Sequence, residues 1–341
     1  MKKEIEIQSY IGIDVSKLTI DVSILTMCGK QDYSQFPNNQ KGFAELNHWL
    51  KNKDFFSIKK SLFCLEHTGL YTREVLGFLL KNQAQVWMES ALHLKRSMGM
   101  TRGKNDKIDS FRIARYAMTN SDRAEIIKLS SVTLQQLKDL MSNRERLSKS
   151  LKAIKTSVQE LTRVDKKMGK EIEKINSPAI KGLQKSKQKV EQRMSELINQ
   201  DSELKRLFDL ITSVKCVGTV LATELLVYTN GFKRMENKRQ LACYCGVAPF
   251  EHSSGTSIRG RIGTSNFANM HLKSTLHMAA VSATRYVPEI KKYYERKVGE
   301  GKHKMTVINS IRNKLINRVL AVIKRGTPYE ENFQKINLEL S

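Results

Sequence analysis

YIGIDVSKLTIDVSIL, residues 10–25, is the stretch that decides the fold of this 341-residue chain. Two β-branched-rich runs, residues 10–15 and 18–25, flank a short polar turn, the pattern of paired strands. The turn Cys28-Gly29-Lys30 leads into a third strand-like run at residues 31–36, so the opening reads as a meander. Helical spacing follows over residues 40–52, where Phe43, Leu46 and Leu50 share one side. Residues 61–65 then read as a buried strand, 72–80 as a helix and 85–88 as another strand. A meander followed by helix, strand, helix and strand predicts an α/β domain over residues 1–125, a mixed sheet covered by helices.

Residues 126–210 change character. Leu147, Leu151, Ile154, Val158, Leu161, Val164, Met168, Ile172 and Ile175 recur in steps of three and four. Asn176-Ser177-Pro178 then offers a cap and a helix-opening proline, and a second series runs through Leu183, Val190, Met194, Leu197, Leu204, Phe208 and Ile211. Two long helices with one narrow apolar seam each predict an antiparallel coiled-coil hairpin or an oligomerisation arm, since so narrow a seam buries little unless it is paired. Residues 211–341 read as a third, mainly helical domain.

Lysine and arginine number 59 against 34 acids, a net charge of +25. Such an excess is hard to reconcile with a small-molecule metabolic enzyme and fits a polyanionic partner. The third segment is the most basic at +12, with no aspartate, against +6 for residues 1–120 and +7 for residues 121–210. No apolar run reaches the roughly 20 residues of a membrane span, the start is too short in apolar residues for a signal peptide, and the two tryptophans, Trp49 and Trp87, both lie in the first domain. A cytoplasmic, nucleoid-associated bacterial protein with no membrane partner is expected. The five cysteines form no CxxC pair and have no histidine pair at zinc spacing, so Cys28, Cys64, Cys216, Cys243 and Cys245 read as small, mostly buried residues.

Asp14 sits inside the apolar run IGIDVS, where a carboxylate is costly to bury without a partner. Glu66 ends the strand SLFCLE, and Asp106 and Asp109 stand three apart in KNDKIDSFRIARYA, on one face of a helix. Each alone reads equally well as a strand-end or solvated acid. Together, an acid in the first strand, one closing the fourth and a helical pair beyond have the layout of an RNase H-like, RuvC-type nuclease site. Phosphoryl transfer explains such a cluster, because two divalent metals ~4 Å apart stabilise the attacking and leaving oxygens, and hard Mg²⁺ prefers carboxylates.

GIDVSK at residues 12–17, LEHTG around Glu66 and RGKNDKIDSFRIARYA at residues 102–117 resemble the DEDD-type transposases of bacterial insertion sequences, the family of the Piv site-specific DNA invertase. The resemblance runs over nearly the whole chain. It implies a RuvC-like domain in which Asp14, Glu66, Asp106 and Asp109 are catalytic and bind Mg²⁺ (or Mn²⁺). Arg102, Lys104 and Lys107 flank the acid pair and either contact nucleic acid or offset the acids' repulsion.

The third segment carries the rest of the resemblance. ITSVKCVGTVLATELLVYTNGF, residues 211–232, reads as two short helices about Cys216-Val217-Gly218, similar to a helix-hairpin-helix but with Lys215-Cys216 in place of the usual Pro-Gly. That turn either meets a phosphate or only packs. Downstream, Gly246, Pro249, Ser254 and Gly255 match the family's G-x-x-P…SG…G pattern. The match implies that Ser254 is a nucleophile attaching covalently to DNA, with Ser253 the alternate. Gly255, Gly260 and Gly263 permit close backbone approach, and Arg259 and Arg261 supply phosphate-binding charge. His252 is only two residues from Ser254, and no histidine, lysine or second acid stands at triad spacing. The tail from 291 to 325 reads as basic helix, with Val307, Ile311, Leu315, Val319 and Val322 as its apolar stripe and Arg312, Arg318, Lys324 and Arg325 adding charge on a solvated face.

The resemblance implies a DNA transposase or recombinase, working on donor and target DNA as a dimer or dimer of dimers and with a structured noncoding guide RNA from its own element. Alternatives are a DNA invertase of the same family without a guide, a RuvC-like junction-resolving nuclease, and a non-enzymatic architectural binder that would not need Asp14 or Glu66.

Overall fold

The computed structural model of the protein describes residues 7–66, 69–97, 105–127, 131–233, 235, 237–250, 253–254, 258–259, 263–264 and 267–331, with residues 253–254 and 258–259 described by backbone alone. The chain forms two compact units, Met1–Leu129 and Ser130–Ser341, where the sequence suggests three segments.

The first unit is the expected mixed sheet. Strands β1 (Ser9–Val15), β2 (Thr19–Thr26) and β3 (Gln31–Pro37) form the antiparallel meander, and β4 (Ser61–Glu66) and β5 (Gln85–Glu89) add on in parallel, in the order β3-β2-β1-β4-β5. The order and strand directions are those of an RNase H-like domain. Alternation assigns the two faces. Ile11, Ile13, Val22, Ile24, Phe63 and Leu65 pack with Phe43, Leu46 and Leu50 of α1 (Gln40–Lys51) and Val75 and Leu79 of α2 (Thr72–Lys81). Each such buried side chain stabilises the fold by roughly 1.5–3 kcal/mol.

The opposite face carries Tyr10, Leu62, Cys64 and Trp87, joined by Leu94 of α3 (Ala91–Ser97) and by Ile113 and Ala117 of α4 (Asp106–Thr119). Gly12 is what lets α4 come this close, for a Cβ there would lie 2.1 Å from the Ser110 carbonyl oxygen and 2.3 Å from the Ala114 nitrogen. The hydroxyls of Ser23 and Ser110, 2.8 Å apart, fasten the helix to β2. Helix α4 is therefore set in depth against the strand that bears Asp14.

The second unit begins with α5 (Val132–Val164) and α6 (Lys166–Gln200), packed against each other as an antiparallel hairpin. The chain reverses at Asp165, not at the Asn176-Ser177-Pro178 break expected from sequence, and Pro178 lies inside α6. An interior proline costs a helix about 3 kcal/mol but need not end it. The reversal is fixed instead by the Asp165 carboxylate, which accepts from the amides of Lys167 and Met168 at 2.9 and 3.0 Å, and by Gly169, where a Cβ would lie 2.3 Å from the Thr162 hydroxyl. Arg144 pairs with Glu191 across the hairpin at 2.6 Å.

The base of the hairpin is not a separate arm. Leu137 and Met141 of α5 and Val190, Met194 and Leu197 of α6 share one buried cluster with Leu221, Leu272, Ile311 and Leu315. Those residues come from α8 (Thr219–Tyr228), which follows α7 (Ser202–Thr212), and from α10 (Met270–Tyr286) and α12 (Lys304–Arg325). Helix α9 (Lys238–Tyr244) and α11 (Pro288–Gly299) complete the unit. The basic tail is thus two helices, parted by Gly301 at φ +82°, and its apolar stripe is buried as the spacing predicts. Arg312 departs from the expected solvated face and is only 6% exposed. All five cysteines are free thiols; Cys64 and Cys245 are buried and Cys216 and Cys243 partly so, while Cys28 departs from the expectation and is exposed. No helix among the described residues is long and apolar enough to cross a membrane.

Candidate active site

Asp14 is the penultimate residue of β1, and Glu66 closes β4 alongside it, so both acids reach the same end of the sheet. Both fall on the face that α4 covers, because Gly12 pairs with Cys64 in register and Asp14 and Glu66 each stand two residues further on. Helix α4 begins there. Asn105 caps it by accepting from the Lys107 amide at 3.0 Å, and Asp106 and Asp109 occupy its first turn, where the helix dipole favours negative charge. The Asp109 carboxylate also accepts from Arg112 at 3.1 Å.

The electrostatics tie the acids together. Burial, and then the charges of Asp106, Asp109, Glu66 and Asp21, push the Asp14 carboxyl up to about 6. The other three expected acids therefore all act on Asp14, with Asp21 as a fifth member of the group. Asp21 lies directly opposite Asp14 in the β1–β2 register and is 2% exposed. It is held by the Tyr33 hydroxyl, which donates at 2.5 Å, and by the Gln35 amide, which donates to both oxygens at 3.2 Å. Burial and this bond to Asp21 push the Tyr33 hydroxyl up to about 12. The Lys107 ammonium stands 4.9 Å from the centre of the Tyr33 ring, linking the start of α4 to the same network.

A sixth acid, Glu89, ends β5 in register with Glu66. Its oxygens accept from the Ser90 amide at 2.6 Å and the Tyr116 hydroxyl at 3.2 Å and face His93 Nδ1 at 2.9 Å. Sequence reasoning passed over both acids, although each left a signal. The tetrad Ile-Asp-Val-Ser occurs at residues 13–16 and again at 20–23, and a hairpin turned between them sets the two aspartates opposite each other. LE at the end of β4 and ME at the end of β5 do the same in parallel.

Among the described residues, no three acids, histidines or cysteines are gathered closely enough to clasp a metal ion as they stand. The chemistry of the donor set nevertheless fits Mg²⁺ or Mn²⁺. The candidate ligands are all carboxylates, the hard oxygen donors these ions take, and the repulsion that raises the Asp14 carboxyl is what a divalent cation would relieve.

In the second unit, Ser253 and Ser254 form β7 (Ser253–Ser254), antiparallel to β8 (Ile258–Arg259), with Ser253 opposite Arg259 and Ser254 opposite Ile258. Outside this pair, β6 (Pro249–Phe250) joins β9 (Gly263–Thr264), so the serines ride on a nested hairpin. Arg102, Lys104, Gly255, Gly260, Arg261 and His252 lie outside the described residues. Lys107 is exposed at the start of α4. The helix-hairpin-helix-like turn between α7 and α8 buries Val214 and Val217, and Cys216 takes the left-handed conformation at φ +67°. Its Lys215 pairs with Glu331 at 2.5 Å.

A family profile described as "Transposase", of the DEDD type of IS110, matches residues 11–163, and that of the "Transposase IS116/IS110/IS902 family" matches residues 208–295. The pilin gene-inverting protein of Moraxella lacunata is 27% identical over 333 residues, 96% of this chain and 99% of that protein, and its counterpart in Moraxella bovis matches to the same extent. An uncharacterized 43.6 kDa protein of insertion element IS110 from Streptomyces coelicolor is 31% identical over 133 residues, 39% of this chain and 33% of that protein.

Proposed function

From the premise that the chain belongs to the IS110 family of transposases, a Piv-like family of DNA-processing enzymes, we propose that it cuts and rejoins DNA strands by divalent-metal-dependent phosphoryl transfer through a covalent Ser254 intermediate. The observation that carries this reading is the gathering of Asp14 and Glu66 at one end of the sheet with Asp106 and Asp109 in the first turn of the helix laid over it, where burial and then the charges of the other acids raise the Asp14 carboxyl. Those four residues would hold Mg²⁺ or Mn²⁺, which supplies charge stabilisation to the oxygens around the scissile phosphorus. Asp21, anchored by Tyr33 and Gln35, sets a further carboxyl opposite Asp14, and the Gly12 contact holds the α4 acids at the depth of the sheet. Lys107 and the basic residues Arg102, Lys104, Arg259 and Arg261 are assigned to the nucleic-acid backbone.

A structured RNA made from the same element is proposed as the guide, a role with which the net charge of +25 is compatible. The length-wide similarity to pilin gene-inverting proteins favours one second reading, a DNA invertase that needs no guide. The test is strand cutting and rejoining by the full-length protein with Mg²⁺ or Mn²⁺, on DNA carrying the ends of the element, with and without RNA transcribed from the flanks of the coding region. Chelation of the metal should abolish rejoining, and undiminished rejoining in the chelator overturns the metal assignment. Rejoining that is complete without RNA selects the invertase.

Recombination must hold two duplexes at once, so a dimer or dimer of dimers is proposed as the working form. The α5–α6 seam pairs within one chain and so does not by itself require a second. A monomeric mass by light scattering, both free and with DNA and RNA bound, would exclude this assembly.

A further inference from the structure

Arg312 of α12 is buried, yet among the described residues no carboxylate pairs with it. Its NH2 donates to His277 Nδ1 at 2.5 Å, its NH1 lies 3.4 Å from the Asn309 side-chain oxygen, and its Nε has no partner among the described residues. A buried guanidinium stays charged, and an uncompensated buried charge costs several kcal/mol. Two further basic groups stand beside it on α10, one helical turn apart: Lys273, whose ammonium donates to the Thr264 hydroxyl at 2.9 Å, and His277. Burial and then the Arg312 charge hold both Lys273 and His277 below their ordinary pKa. Arg312 and Lys273 thus repel each other, His277 is kept from gaining a proton beside them, and among the described residues no acid stands between them.

The position of this cluster gives it meaning. Thr264 lies in β9, the outer strand of the nested hairpin that carries Ser253 and Ser254. Asn309, one turn before Arg312, donates to the Val247 carbonyl at 2.8 Å, two residues before β6. Gly246 takes φ +65° there, with the Lys273 side chain 3.1 Å from where its Cβ would be. Both ends of the serine-bearing loop are therefore fastened to the residues around Arg312.

We infer that Lys273 and His277, with Arg312 behind them, form a binding site for one DNA backbone phosphate at the root of the serine-bearing loop. Lys273 and His277 are half-buried and reach solvent, so they are the groups that touch the phosphate. Because His277 Nδ1 accepts from Arg312, the proton of the neutral ring is on Nε2, free to be donated. Arg312 is a positioning residue that orients this ring and adds charge. An anion seated here removes the repulsion within the cluster, so the site is less stable empty than filled.

This site rests on the recombinase reading for its choice of DNA, and its test separates the two. Binding of a short DNA duplex to the full-length protein is followed by fluorescence anisotropy over a range of salt, with every variant in a Ser254→Ala background so that no covalent step contributes. Lys273→Met should weaken binding about tenfold and lower the salt slope by about one. Its melting temperature should equal or exceed that of the parent, because a repelled charge has gone, whereas a structural lysine would lower it. Lys273→Arg should restore binding. Wild-type affinity in Lys273→Met at every salt concentration overturns the site, as does a loss confined to a structured RNA used in place of the duplex. If Lys273→Met loses affinity while the protein with Ser254 intact forms no adduct, the site stands and the covalent reading fails.

Discussion

Asp14→Asn should abolish strand cleavage and, in the absence of divalent metal, make the first unit more stable at pH 7. The folded-state carboxyl titrates at about 6, above the ordinary 3.8, because of burial and the neighbouring acids. Between those values the folded protein keeps a proton that the unfolded chain has released, so this contribution to stability is full below about pH 4 and is lost as pH rises through about 6. A shift of that size corresponds to about 3 kcal/mol, reduced by solvent screening to on the order of 1–2 kcal/mol. The asparagine variant has no such titration. It should melt a few degrees higher at pH 7, and its melting temperature should change less between pH 4 and 7.

Added Mg²⁺ or Mn²⁺ should reverse the ranking, raising the melting temperature of the wild type and leaving that of the variant nearly unchanged. Cleavage should fall roughly a thousandfold or more, as expected when several kcal/mol of transition-state charge stabilisation is lost. Two measurements suffice: melting scans across pH with and without metal, and a strand-cleavage assay. Wild-type cleavage by the variant would falsify the assignment of Asp14. A variant less stable than wild type at pH 7 without metal would refute the repulsion among the acids.

Ser254→Ala should eliminate a covalent protein–DNA adduct altogether, and with it strand exchange. In the proposed step the serine oxygen bonds to the scissile phosphorus, the DNA oxygen leaves, and that DNA end takes up the proton as a hydroxyl. In the reverse step a DNA hydroxyl attacks the phosphoserine and the serine regains its proton. The phosphodiester bond energy is conserved throughout, so rejoining needs no external co-reactant, which suits a recombinase better than a hydrolase. The register of the inner hairpin makes Ser253 a real competitor: its backbone pairs with that of Arg259, whereas Ser254 pairs with Ile258. A nicked or suicide DNA substrate traps the intermediate, which is then read by denaturing gel and peptide mass spectrometry. An adduct retained in Ser253→Ala and absent from Ser254→Ala supports Ser254. Recombination by Ser254→Ala would move the nucleophile to Ser253 or, failing that, to a DNA hydroxyl acting directly.

Local pattern was sufficient for much of this protein. The β-branched-rich runs in residues 10–25 placed β1 and β2, the three-and-four spacing found a long helix at α5 without its end and the apolar stripe of α12, and Asp14, Glu66, Asp106 and Asp109 were legible as acids in unusual surroundings. These features depend on a residue and its near neighbours, which is why periodicity reports them. What tertiary structure decided was partnership across distance. Asp21 and Glu89 read as ordinary strand residues until pairing set them beside Asp14 and Glu66. The hairpin reverses at Asp165 and carries Pro178 through, because capping and the close Gly169–Thr162 contact favour a turn there, while a proline in a long packed helix is tolerated at a local cost. Arg312 looked like one more surface charge on a basic helix. Only the packing of α10 against α12 turns it inward and surrounds it with Lys273 and His277, since burial is set by what the rest of the chain lays over a residue and not by the residue itself.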